Sequence, residues 1–406
     1  MNDNYKDMRL LAANGISESK LDVTSSYYDR FDEFERKPNR RDTEQRTISV
    51  AMIANNLEVN GISAVIMNYC SHLNLTKFKI TILVGATVAE THRKKCEELG
   101  VEVVELPARK IDTLAFYWAV NRELKKKRYD IAHAHGSNAS IAVELSLAWL
   151  NGIKVRIAHS HNTTCTNMKA HKLLLPLFNR LYTHGFACGE MAGQWLFGEK
   201  EFYVMPNGFD NEKFRFSSNV RDEVRQELGV EDNFVLGHIG RFNDQKNHHY
   251  LLKVFECVAK KREDAVLLLI GAGPDFEEIN GIIAQHPYKE RIIVYGESPN
   301  PERMYMAMDV FVFPSKFEGL PVTLLEAQIG GLPCVISDVI THEVILGDRV
   351  KTLSLNKSVT QWADEIVSIK LQDRDQFYID YRSRIENYDI TDCARKLEMK
   401  YISLLG

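Results

Sequence analysis

The chain has 406 residues, 45% hydrophobic and 26% charged. That balance excludes disorder, collagen and coiled coil, and its length leaves room for roughly two or three domains. A formal charge of −4 gives no general attraction for nucleic acid, and no apolar run approaches the ~20 residues of a membrane-spanning helix.

Residues 1–45 are dense in mixed charge and poor in apolar periodicity, and read as an N-terminal extension, mobile or docking as a short helix. The polar start lacks the apolar stretch of a secretory signal. A first strand is expected over 48–53, followed by a loop over 55–61. After it Ile62, Ile66, Tyr69 and Leu73 share one helical face. Further strands are expected at 79–84, 101–104, 131–134, 155–159 and 183–187, with helical patterns between them. The run VMPNGFDNEKF over 204–214 clusters Pro, Gly and Asn and reads as a loop at a domain junction. A second series of strands is expected at 234–239, 265–270, 291–295, 310–313 and 334–337, with helices over 248–260 and 321–329. The last pattern, over 390–405, is an amphipathic helix. Alternation of this kind predicts an α/β protein with two Rossmann-like, doubly wound domains facing across a cleft. The expected partition is 1–45, 46–205, 206–385 and a terminal helix over 386–406. Seven scattered cysteines with no CxxC pair argue against a disulfide framework or structural zinc and for a reducing, cytoplasmic setting.

The richest chemistry lies at 313–326, FPSKFEGLPVTLLE. A buried strand would end near Ser315, a short loop would carry Glu318 and Gly319, and Pro321 suits the first turn of a helix. Glu318 and Glu326 then both reach a ligand at the helix start. Carboxylates repel phosphate, so the pair is expected to accept hydrogen bonds from sugar hydroxyls, with Gly319 allowing close approach to the backbone. The plainer alternative is a surface Glu beside a helix N-terminus. A second strand end, GHIGRFNDQKN over 237–247, carries Arg241 and Lys246, a planar donor and a point charge that together match a diphosphate. The plainer alternative is a solvated loop with two ordinary cations. Gly271-Ala272-Gly273 lacks the third glycine of a dinucleotide fingerprint and reads as a turn.

Two first-half strand ends carry His133 and His135, then His159 and His161, each pair on one face. A metal site is one reading; the other has one histidine of each pair meeting substrate while its neighbour packs. No acidic cluster completes a metal site, and no metal is expected. The basic run 125–128 reads as a solvated helix end. The apolar stretch 171–180 is taken as a buried helix in preference to a membrane-surface one. Asp373-Arg374-Asp375 resembles a DxD metal motif but falls in a charged helical tail and is discounted.

These motifs together resemble the GT-B glycosyltransferases of family 4, also called glycosyl transferases group 1. Glu318-Gly319-Leu320-Pro321…Glu326 matches the family's paired glutamates, and Gly240-Arg241…Lys246-Asn247 its diphosphate-binding cations. Pro206-Asn207-Gly208-Phe209-Asp210 is similar to the interdomain segment, and 130–135 and 158–162 to the N-terminal strand ends. The likeness runs from about residue 47 to the C-terminus and is strongest to bacterial capsular and exopolysaccharide transferases. One departure is Asn60 before Gly61, where many members have two glycines.

The resemblance implies retaining, metal-independent transfer from a nucleotide diphosphate sugar, expected to be a UDP-sugar, to a glycan or lipid-linked acceptor. No cofactor is expected, and peripheral contact with the cytoplasmic membrane face is. It implies that Arg241 and Lys246 hold the diphosphate, that Glu326 binds the ribose, and that Glu318 with the backbone of Gly319, Leu320 and Pro321 holds the sugar. His161 would stand near the reacting carbon, His135 would line the same cleft, and Gly61 would lie under the phosphates or sugar. The last helix would cross back onto the first domain. A sugar-nucleotide epimerase of the same fold, a non-catalytic partner protein and a histidine-based metal hydrolase are the competing readings.

Overall fold

A computed structural model describes residues 46–406 apart from 59, 60 and 166. The extension over 1–45, and Asn60 ahead of Gly61, therefore lie outside the described residues. The first half contains strands β1 (Ile48–Ala54), β2 (Phe78–Val84), β3 (Glu102–Glu105), β4 (Ile131–Gly136), β5 (Val155–Ser160), β6 (His184–Ala187) and β7 (Tyr203–Val204). Its helices are α1 (Gly61–His72), α2 (Glu90–Leu99), α3 (Thr113–Lys126), α4 (Ala142–Leu150), α5 (Met168–Leu181) and α6 (Glu190–Phe197). Two helices, α7 (Asn211–Phe214) and α8 (Ser218–Leu228), lead into the second half. There the strands are β8 (Phe234–Ile239), β9 (Ala265–Ile270), β10 (Ile292–Gly296), β11 (Val310–Phe313), β12 (Cys334–Ser337) and β13 (Val350–Leu353). The helices among them are α9 (His248–Lys261), α10 (Phe276–Ala284), α11 (Pro301–Ala307) and α12 (Val322–Ile329). The tail holds α13 (Val359–Val367), α14 (Arg374–Asp380), α15 (Arg382–Glu386) and α16 (Ile390–Leu405).

The strands form two parallel sheets, ordered β3-β2-β1-β4-β5-β6-β7 and β10-β9-β8-β11-β12-β13. Central strands such as β9, AVLLLI, are buried at every position, as a sheet covered by helices on both faces requires. In each sheet the strand order reverses once, between β1 and β4 and between β8 and β11. Ligands of open α/β sheets sit beyond the strand carboxyl ends at such reversals. Two short strands were not expected. β13 reads VKTL with Lys351 exposed, an edge strand lacking a buried-strand pattern, and β7 has two residues.

Both sheets belong to one unit, Thr47–Leu405. One apolar core runs through the two halves, joining Phe178 and Leu196 of the first to Phe311 and Leu324 of the second. The chain passes between them twice, side by side. Phe209 N–H donates to the Tyr388 carbonyl at 2.7 Å and Ile390 N–H to the Phe209 carbonyl at 2.8 Å. Beyond that crossing α16 buries Ile390, Cys393, Ala394, Leu397 and Tyr401 in the core of the first half.

Candidate active site

The two loops at the β8/β11 reversal are those that carry the charged motifs, and they are bonded to each other. Lys316 N–H donates to the Gln245 carbonyl at 2.8 Å, and the Asn247 side-chain amide to the Pro314 carbonyl at 3.1 Å. Asn247 takes a left-handed φ of 60°, which asparagine tolerates better than most residues, and this turns the chain into α9. Behind them lies the Gly271 turn. Gly271 has φ +137°, and a Cβ there would run into the Gly240 carbonyl, so only glycine lets this turn back the Arg241 loop.

Arg241 is exposed and has no hydrogen-bond or ion-pair partner among the described residues. Lys246 differs: its Nζ is 2.7 Å from Glu318 Oε1 and 4.4 Å from the Phe313 ring centroid. Gln245 donates to the other Glu318 oxygen at 3.1 Å. The cation expected at the diphosphate and the carboxylate expected at the sugar thus form one nearly buried pair. Glu326 stands on α12, where its Oε2 accepts from the Tyr305 hydroxyl at 2.8 Å. Burial pushes its carboxyl up to about 7, against the pull of that hydrogen bond. Tyr305, buried on α11, carries no local sequence signal and was missed. So was Arg374, whose guanidinium lies buried against the Gly330 and Tyr305 carbonyls, with its pKa drawn down to about 9 by desolvation. Its neighbour Asp373 caps α14, accepting from the backbone of Asp375 and Gln376.

The segment from Glu318 to Pro321 also faces the first half. A Cβ on Gly319 would come within 2.7 Å of the His161 carbonyl and 3.0 Å of Asn162 Cα. Close approach at this glycine is therefore to the opposite domain's backbone, beyond the ligand contact expected of it. Thr163 donates to the Glu318 carbonyl at 3.0 Å, and Asn207 to the Leu320 carbonyl at 3.5 Å. Pro321 precedes α12 as its N-cap. From further along, the Glu343 carboxylate accepts from Glu190 and Met191 N–H at the start of α6, at 2.7 and 3.0 Å. These bonds draw the carboxyl ends of the two sheets together.

Across from them stand the four histidines: His133 and His135 on β4, His159 on β5 opposite His135, and His161 just past the end of β5. His133 Nε2 lies 3.0 Å from His159 Nδ1, and its Nδ1 2.7 Å from the Tyr401 hydroxyl of α16. His135 Nδ1 lies 2.9 Å from His161 Nε2. Burial is the main cause that holds all four well below the usual imidazole range, His133 and His161 at about 3. Among the described residues, ring nitrogens of His133, His135 and His159 lie within 4.8 Å of one another. A metal drawn there would compete with the imidazole–imidazole hydrogen bonds. His161 is partly exposed, whereas His135 is 5% exposed and sits one layer behind it, not at the cleft wall as expected. Gly61 opens α1, exposed, with nothing within 4 Å of where a Cβ would stand. At the β1/β4 reversal Arg109 reaches Glu144 at 3.0 Å, and Asn55 and Ser140 at 3.2 Å each. Sequence reasoning did not single it out.

The stretch over 171–180 departs from expectation. In α5 His171 and Phe178 are buried, but Leu173 is 80% and Leu177 43% exposed. One face packs into the apolar core beside α4 and the other does not.

Two doubly wound domains with strand carboxyl ends apposed and a lysine–glutamate pair at a sheet reversal have the architecture of a GT-B glycosyltransferase. The Glycosyltransferase Family 4 profile matches residues 59–213 and the Glycosyl transferases group 1 profile residues 220–389. The putative glycosyltransferase EpsF of Bacillus subtilis is 32% identical over 333 residues, covering 78% of this chain and 86% of that protein. An Escherichia coli UDP-Gal:alpha-D-GlcNAc-diphosphoundecaprenol alpha-1,3-galactosyltransferase is 32% identical over 232 residues, 53% of this chain and 59% of that one. In structure the chain resembles Anabaena HepE, solved with UDP-glucose, at a TM-score of 0.72 and 15% identity over 88% of this chain and 100% of that one. The chain belongs to the family 4, group 1 glycosyltransferases and is a hexosyltransferase.

Proposed function

We propose that this enzyme moves a hexose from a UDP-sugar to a lipid-linked or glycan acceptor in bacterial surface polysaccharide synthesis, with retention and without a metal. The observation that carries the proposal is the Lys246–Glu318 pair at the β8/β11 reversal, with Arg241 on the same loop as Lys246 and Glu326 on the helix that follows Glu318. The names of its relatives fit: a UDP-Gal-dependent transferase acting on a diphosphoundecaprenol acceptor, and CapM and CapH of Staphylococcus aureus, named for capsular polysaccharide biosynthesis.

Departure of a nucleotide diphosphate places negative charge on phosphate and positive charge on the sugar. Preorganised cations stabilise that transition state more than the ground state. Arg241 and Lys246 take that role, Glu326 binds the ribose hydroxyls and Glu318 the sugar. His161 stands across the cleft near the reacting carbon. Calorimetric titration with UDP, GDP and ADP in EDTA tests the donor site and its independence of metal. UDP alone is expected to bind, more weakly as pH falls through about 7, because protonated Glu326 no longer accepts from both ribose hydroxyls. Glu326→Gln is expected to remove that dependence; UDP affinity equal in variant and parent from pH 6 to 8 refutes the ribose role.

A membrane contact has support of its own. No helix among the described residues is long and apolar enough to cross a membrane. Yet Leu114 is 84% and Trp118 64% exposed on α3, beside exposed Ile111, and α5 exposes Leu173 and Leu177. Lys110, Arg122, Lys125, Lys169 and Lys172 are interspersed, a composition suited to an anionic bilayer surface. Co-sedimentation with phosphatidylglycerol vesicles is expected, weakened by Leu114→Glu with Leu173→Glu; equal recovery on purely zwitterionic vesicles counts against it.

A further inference from the structure

We infer that His135 is a positioning residue that fixes the tautomer of His161, so that His161 offers the cleft an Nδ1–H donor. The inference rests on the reading of the cleft given above and adds a residue to it.

The protons of the four rings can be counted. All four imidazoles are buried or nearly so and neutral, so each ring carries a single N–H. His135 has one bonded nitrogen, Nδ1, 2.9 Å from His161 Nε2, while its Nε2 is buried without a partner. A proton on that Nε2 would be an orphaned N–H in the interior, whereas a proton on Nδ1 is hydrogen-bonded and leaves behind only a bare lone pair. Buried donors without partners are the rarer and costlier case. His135 therefore donates from Nδ1, and His161 Nε2 accepts. The remaining proton of His161 must then sit on Nδ1, which has no partner among the described residues. This is the ring nitrogen turned away from His135, on the one histidine of the four that reaches the surface.

The inner pair obeys the same rule. His159 Nε2 is likewise buried and unpartnered, so His159 donates from Nδ1 to His133 Nε2, and His133 donates from Nδ1 to the Tyr401 hydroxyl. Ring stacking holds the tiers in place: His133 on His135 at 4.3 Å and His159 on His161 at 4.0 Å between centroids. The cleft histidine is thus a neutral donor whose partner is a substrate oxygen, and Nδ1 has no lone pair with which to take a proton.

The test reads the tautomer directly. Protein labelled with 15N-histidine, observed by long-range proton–nitrogen correlation, is expected to show His161 with a protonated Nδ1 and a bare Nε2. A protonated His161 Nε2 with a bare Nδ1 overturns the inference, whatever the enzyme transfers. Two variants add a kinetic readout. His135→Phe keeps an aromatic ring in the stack and removes the donor; His135→Asn keeps an N–H near the Nδ1 position. Transfer by His135→Phe is expected to fall about 10- to 100-fold in kcat with nucleotide affinity unchanged, the size expected when a reacting group loses its placement. His135→Asn is expected to recover to within about threefold of the parent. Equal rates in the two variants overturn the positioning role. Should His135→Phe not fold, the spectrum of the parent protein decides. Should the parent transfer no sugar at all, the functional reading fails while the tautomer result stands.

Discussion

Lys246→Ala is expected to lower turnover by about 10²–10³-fold, the size of losing one preorganised donor at a charge that develops in the transition state. The structure adds a second consequence. Lys246 is bonded to Glu318 at 2.7 Å, and both side chains are largely buried. Removing the cation leaves a buried carboxylate without its counter-charge, which costs about 3–5 kcal/mol where a buried pair is broken on one side. Catalytic and structural losses would then be confounded in the single variant. The double variant Lys246→Ala/Glu318→Gln separates them. Its melting temperature is expected to recover toward the parent's, because no charge is left unpaired, while turnover stays well below that of Glu318→Gln alone, the reference needed because Glu318 itself is assigned to the sugar. A double variant that regains activity, or a single variant slowed less than about fivefold, is incompatible with Lys246 acting on the leaving group. The pairing also implies a rearrangement: Lys246 cannot serve the diphosphate fully while it neutralises Glu318, so donor binding is expected to loosen that contact.

Acid is expected to unfold this protein sooner than its composition suggests. His133, His135 and His159 are enclosed, and burial, then the neighbouring imidazoles, depress their pKa values, with His133 at about 3. The unfolded chain binds protons at these residues near pH 6.5, while the folded chain does so only far lower. Stability is therefore fully present above about pH 6.5 and declines as pH falls toward about 3. Each histidine that stays neutral at pH 5 lowers stability by about 2 kcal/mol relative to neutral pH. Urea unfolding at pH 7.5 and at pH 5 measures the sum. Replacing His133 and His159 together by Phe and Leu should flatten the dependence, even if it lowers stability at pH 7.5. A parent protein equally stable at both pH values would mean that the histidines gain protons without unfolding, through water that reaches the cluster.

The positions of the donor loops were readable because their signals are local. β8, β9, β11 and β12 stand where periodicity placed them, and the glycine, proline and charged residues that follow two of them mark the strand-end loops. Apolar alternation, helical spacing and turn chemistry act between residues two to four apart, so they survive in the bare sequence. The edge strand β13 and the exposed face of α5 were not legible for the converse reason. Whether VKTL joins a sheet, or whether Leu173 meets the core, depends on what arrives from elsewhere in the chain.

By itself the sequence determined the class of this protein: two parallel α/β sheets, the loops that carry Arg241, Lys246, Glu318 and Glu326, and the motifs of a family 4 glycosyltransferase. Only the tertiary structure decided what those side chains touch. Lys246 meets Glu318 across 72 positions, Tyr401 reaches His133 across 268, and Glu343 caps α6 across 153. Ionisation state, tautomer and the contact between the two halves follow from burial and from such distant partners. Both are set by how the elements pack, and neither leaves a trace in the order of neighbouring residues.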